Sequence, residues 1–112
     1  MSGYLKIRCR SGTGLYNTYT RNYFVLVEDK GLLNYWNNES DTHTPALGSI
    51  DMALVLGVES KRNTCSKLEI DLGEDVMKLK ARDKAEAERW KIGLLQWQEY
   101  LLLHMGEFDF EV

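Results

Sequence analysis

Near the N-terminus, apolar Leu5, Ile7 and Cys9 alternate with cationic Lys6, Arg8 and Arg10. A period of two places the two kinds of side chain on opposite faces of a strand. Residues 12–20 read as a loop and Tyr23-Phe24-Val25-Leu26-Val27 as a second strand, followed by the turn "EDKG", whose Gly31 can take positive φ. Residues 32–36 continue as a third strand, the polar stretch 37–45 as a loop, and residues 47–51 and 54–59 as two short strands. Residues 68–72 and 76–81 alternate again on either side of the turn "GED". Seven strands in succession predict a mainly β fold, a closed or nearly closed antiparallel barrel or sandwich.

The period then lengthens. Asp83 and Glu86 have the spacing of a capping box, and Ala87, Trp90, Leu94, Trp97 and Leu101 recur at intervals of three and four. One amphipathic helix of about 20 residues is expected, stopped at Gly106, with its tryptophans plugging the β-structure. Leu95, Leu102 and Leu103 fall outside the stripe.

Length and composition leave one globular domain: 112 residues, 44% hydrophobic and 28% charged, carry too much apolar surface for a disordered chain. Two cysteines, Cys9 and Cys65, are too few for a disulfide scaffold, and no apolar leader with a cleavage site precedes the first strand. These features fit a cytoplasmic setting. No apolar run is long enough to span a bilayer.

The formal charge of −3 is unevenly spread: residues 1–27 hold four cations and no acid, the remainder ten cations and seventeen acids. A positive lobe on an acidic body can orient toward an anionic surface despite the net charge, since fields are screened over about 8 Å.

Catalytic chemistry finds little support. Gly12-Thr13-Gly14 lacks the rest of a dinucleotide fingerprint, and His43 and His104 are far apart without companion ligands. No enzyme, cofactor or metal site is expected. Nucleic acid is disfavoured too, because single-strand platforms interleave aromatics with many cations.

Four segments in order resemble the pleckstrin-homology (PH) domain: "GYLKI", "RNYFVLVEDKGLLNYW", "GSIDM" and "MKLKARDKAEAERWKIGL", with Trp90 at the helical tryptophan. Within the superfamily, "GSIDMALVLGVES" and "KLEIDLGEDVMKLKA" look most like oxysterol-binding-protein relatives and other lipid-transfer proteins. The resemblance implies a domain at residues 1–105, with 106–112 a tail or the start of a linker within a larger multidomain protein. It implies a noncatalytic module, a peripheral lipid-transport or signalling adaptor, docking on phosphoinositide-containing membranes.

In phosphoinositide binders of this family a strand-one lysine and a strand-two arginine converge on the phosphates. Here those places fall on Ile7 and Asn22, with Thr20 in the partner position, so a degraded headgroup motif and weak binding are expected. By parity Lys6, Arg8, Arg10 and Arg21 turn to the outer wall, where some relatives bind headgroups. A bulge in strand one would instead return Lys6 or Arg8 to the usual pocket. Leu15, Tyr16 and Tyr19 fall in the first hairpin loop, where lipid-transfer relatives carry a membrane wedge, and tyrosine suits that depth. The competing reading is a protein-interaction scaffold without specific lipid binding.

Overall fold

The computed structural model describes residues 1–10, 17–60 and 66–108. Strands β1 (Ser2–Arg10), β2 (Asn17–Val27), β3 (Leu32–Trp36), β4 (Gly48–Asp51), β5 (Gly57–Ser60), β6 (Lys67–Asp71) and β7 (Val76–Lys80) are followed by helix α1 (Lys84–Phe108). All seven strands belong to one antiparallel sheet in the order β4-β3-β2-β1-β7-β6-β5. The first strand is thus central. It pairs with β2 along its whole length, and with β7 at Lys6 opposite Lys80 and Ile7 opposite Leu79.

The core follows from the alternation. Leu5, Phe24, Leu33, Leu68, Ile70 and Leu79 point to one face and are fully buried, together with Met52 from the connection after β4. The helix lays Ala87, Trp90, Leu94 and Trp97 onto this face, with Leu101 half-buried beside them. Trp90 meets Phe24 edge-on at 6.4 Å between centroids, a favoured aromatic geometry. Gln98 ties the helix to the β4–β5 connection by donating its side-chain amide to the Met52 and Val55 carbonyls.

Several boundaries differ from the sequence reading. The second strand starts at Asn17, so Tyr19 lies in β2 opposite Arg8 and not in the hairpin loop. Its pairing with β1 supplies ladder hydrogen bonds that outweigh the weak apolar pattern of "NTYTRN". A 3-10 turn at Met52–Leu54 replaces the expected start of the fifth strand, because the Asp51 carboxylate accepts from the Ala53 N–H and holds the chain in a turn. The helix runs through Gly106 to Phe108, 25 residues in all. Glycine inside a helix costs only about 1 kcal/mol and does not end one by itself. Residues 106–108 therefore belong to the helix.

The Asp83 half of the capping box forms, its carboxylate accepting from the Glu86 N–H at 2.9 Å. Glu86 does not reach back. Its two carboxylate oxygens take Arg89 at 3.1 and 3.0 Å, because a charged partner three residues on is the stronger one.

Gly31 closes the β2–β3 turn with φ of +68°, and a Cβ there would lie 2.7 Å from the Trp97 ring. Both the left-handed backbone and the ring exclude a side chain. Gly31→Ala is expected to destabilise the domain by about 2 kcal/mol or more, read as a fall in Tm and in the denaturation midpoint; an unchanged Tm would show that Trp97 is not held against this turn.

Candidate functional site

The inner wall of the β1–β2 hairpin is occupied by structure. Ile7 packs against the core, and Asn22, only 4% exposed, donates its side-chain amide to the Trp36 carbonyl at 3.2 Å. An amide so placed ties β2 to the end of β3 and has no charge to offer a phosphate. Thr20 sits opposite Ile7 on the same face. The strands pair in one unbroken register from Ser2 opposite Val25 to Arg10 opposite Asn17, with no bulge to shift the parity.

The outer wall carries the cations. Lys67 stands opposite Lys80, Lys80 opposite Lys6, and Lys6 opposite Arg21, so four positive side chains cross β6, β7, β1 and β2 in a single row. At about 4.8 Å between strands the row spans roughly 14 Å. Among the described residues the ion pairs are Arg82 with Asp83 and Arg89 with Glu86, and neither involves a member of the row.

Lys6, Arg21 and Lys80 also line a cleft of about 550 Å³ with Tyr4, Leu5, Ala81, Arg82 and Glu86. The Arg21 guanidinium lies 3.8 Å from the Tyr4 ring centroid, and Tyr4 is set by an edge contact with Tyr23 at 4.9 Å and by the Glu39 N–H donating to its hydroxyl. Stacking leaves the guanidinium edge free to donate. The Lys80 ammonium lies 5.7 Å from the ring of half-buried Tyr19. Two aromatic rings therefore support two members of the row from beneath.

Arg8 is separated from that cleft. The β1–β7 pairing stops at Ile7, and beyond the split Arg8 lines a second cleft of about 480 Å³ with Tyr35, Ser49, Asp75, Met77 and Lys78. Lys6 and Arg21 are thus brought together, while Arg8 lies at a neighbouring opening. The Arg10 backbone pairs with Asn17, but its side chain lies outside the described residues, as do Leu15 and Tyr16. Lys67 and Lys80 were missed by sequence reading. Their membership depends on β7 and β6 lying beside β1, and only the alternation of Lys78 and Lys80 with Leu79 hinted at their direction.

Two carboxylates border this region at the helix start. The Glu86 N–H hydrogen bond, aided by Arg82, holds the Asp83 carboxyl below its ordinary 3.8. The hydrogen bond from Arg89 holds Glu86 below its ordinary 4.5. Both stay ionised at neutral pH, and Glu86 is the one acid among the residues that line the cleft.

A sequence model described as PH domain matches residues 1–96. Among solved structures, the chain is similar to the PH domain of human oxysterol-binding protein-related protein 11, with TM-score 0.75 and 24% identity over 89% of this chain and 80% of that one. It is also similar to the PH domain of human TBC1 domain family member 2, with TM-score 0.75 and 24% identity over 90% and 82%. A further likeness is to the C-terminal PH domain of pleckstrin in complex with D-myo-Ins(1,2,3,4,5)P5, with TM-score 0.67 and 20% identity over 86% and 94%. No curated protein matches the chain.

Like charges directly opposite one another on paired strands are destabilising, by a few tenths to about 1 kcal/mol each. Lys80, flanked by two lysines, bears this cost twice. Lys80→Gln is therefore expected to raise Tm in low-salt buffer free of multivalent anions, with the gain shrinking at about 0.5 M salt, where screening falls below the strand spacing. A Tm that drops at low salt would mean that the row is not self-repelling. At the helix start, depressed carboxyl pKa values contribute stability that is present above the ordinary values and lost as pH falls through the folded ones. Asp83→Asn should accordingly narrow the stability gap between about pH 6 and pH 3 in acid-unfolding curves, and an unaltered acid limb would show that the cap does not contribute.

Proposed function

The chain belongs to the PH-domain family, and from that premise we propose that it is a noncatalytic membrane-recruitment module which holds anionic lipid headgroups, phosphoinositides among them, on the outer wall of its sheet. PH domains are generally noncatalytic and commonly bind phosphoinositides or mediate protein interactions. On this reading Lys6, Arg21, Lys80 and Lys67 form the headgroup surface, Arg8 at its neighbouring cleft and Arg10 add positive charge beside it, and Leu15 and Tyr16 act as the membrane wedge. Placement is cytoplasmic and peripheral, within a larger protein. No described helix is long and apolar enough to cross a membrane.

The observation that carries the reading is the row itself: four cations in mutual opposition, with no carboxylate partner among the described residues. Such an arrangement raises the energy of the unliganded protein and is relieved by a multivalent anion. The inner wall, with Ile7 and buried Asn22, supports the weak and outward-facing character of the site.

Each cation near an anionic leaflet contributes about 1 kcal/mol, so Lys6→Gln with Lys80→Gln should weaken binding roughly 30-fold. Sedimentation with vesicles of phosphatidylcholine, phosphatidylserine and a phosphatidylinositol bisphosphate measures this, and circular dichroism checks that the variant is folded. Absence of pelleting by the unaltered protein at low salt would favour the scaffold reading, whose structural support is the exposure of Ile92 and Leu103 on the helix. Leu95 packs against the core and does not belong to that surface.

A further inference from the structure

A cleft remains at the end of the sheet away from the cation row. It has a volume of about 600 Å³ and lies between the β2–β3 turn and the middle of the helix. Leu26 and Trp97 form its floor, both buried, while Tyr100, 58% exposed, stands at one side. Glu28 and Asp29, adjacent and exposed on the turn, form the rim. Neither acid has an ion-pair partner among the described residues.

The floor is shaped by two glycines. Gly31 brings the turn onto the Trp97 ring, and at Gly93 a side chain would run into the Met1 thioether, which lies against the helix there. That thioether is flexible and polarizable, so it can yield to an incoming apolar group. The opening thus combines an aromatic-aliphatic floor, an adaptable wall and two adjoining carboxylates.

We infer that this cleft is a docking site for a protein segment carrying one large apolar side chain flanked by lysine or arginine. The apolar residue seats on Leu26 and Trp97 beside Tyr100, and the flanking cations meet Glu28 and Asp29. Charge complementarity selects this occupant: an acidic or phosphorylated segment would be repelled at the rim, and so would an anionic membrane. Val27 ends β2 six residues beyond Arg21, about 20 Å along the strand. A domain seated on lipid through its cation row therefore keeps this cleft available to a partner. The inference is independent of the lipid reading, because no residue is shared between the two surfaces.

The probe is a synthetic pentapeptide, lysine-arginine-leucine-arginine-lysine, titrated into the ¹⁵N-labelled domain while the Trp97 indole N–H and the amides of Glu28, Asp29 and Gly93 are followed by NMR. Saturable shifts at these groups are expected. They should weaken about tenfold when serine replaces the peptide leucine or when Glu28→Lys and Asp29→Lys are combined. Gly93→Leu should block the cleft to a similar extent without unfolding the protein, since leucine is the better helix former and displaces only the end of Met1. Lys6→Gln with Lys80→Gln should leave the titration unaltered. Equal binding of the serine peptide, shifts confined to other surfaces, or no shift at millimolar peptide would each overturn the inference.

Discussion

The register of β1 against its two neighbours decides which chemistry this domain can present. Leu5 must enter the core, and at a period of two that places Lys6 outside and Ile7 inside. Slipping the strand by one residue would bury Lys6 and Arg8 and expose Leu5, exchanging apolar burial of about 2 kcal/mol per side chain for the desolvation of two charges. Because β1 lies at the centre of the sheet, the same parity is passed to β2 on one side and to β7 and β6 on the other. Four cations that are dispersed in sequence become a single row without a further structural device.

The inner position at Asn22 completes the same constraint. A buried amide there satisfies its donor on the Trp36 carbonyl and fixes the end of β3, from which the 37–47 loop departs. That loop returns over Trp36, whose indole N–H donates to the Thr44 carbonyl at 2.8 Å. It also supplies the Glu39 N–H that orients Tyr4, and Tyr4 in turn supports Arg21. The buried amide of Asn22 thereby helps to hold the ring under an arginine on the opposite face.

Alternation and the three-four helical stripe were strong enough in the sequence to identify the strands, the helix and the family, because each is a local pattern enforced by burial. Ile7 and Asn22 were likewise legible as inward positions. What local pattern could not reach was anything that depends on which strands are neighbours. Lys67 and Lys80 look like ordinary exposed lysines until β6 and β7 are set beside β1. Arg8 looks equivalent to Lys6 until β1 parts from β7 after Ile7. Tyr19 was misplaced for a related reason: "NTYTRN" has little strand pattern of its own and is extended because β1 offers it a ladder. The reciprocal capping bond was misread because Arg89, one helical turn on, competes for Glu86 more strongly than a backbone amide does.

Charge segregation links the two surfaces of the molecule. On the outer wall, cations oppose cations across the strands, and among the described residues the local remedy available to most sheets, a carboxylate facing a cation, is found only between Glu69 and Lys78. Adjacent acids stand on two of the turns, Glu28 and Asp29 between β2 and β3 and Glu74 and Asp75 between β6 and β7. Turn positions hold charge at little cost because they stay solvated, whereas a like-charged row in mid-sheet is costly wherever it occurs. A net negative protein can reach an anionic surface only if its positive groups approach first, within a screening length of about 8 Å. With four of them gathered on one wall, local attraction to such a surface would act before the net charge is felt.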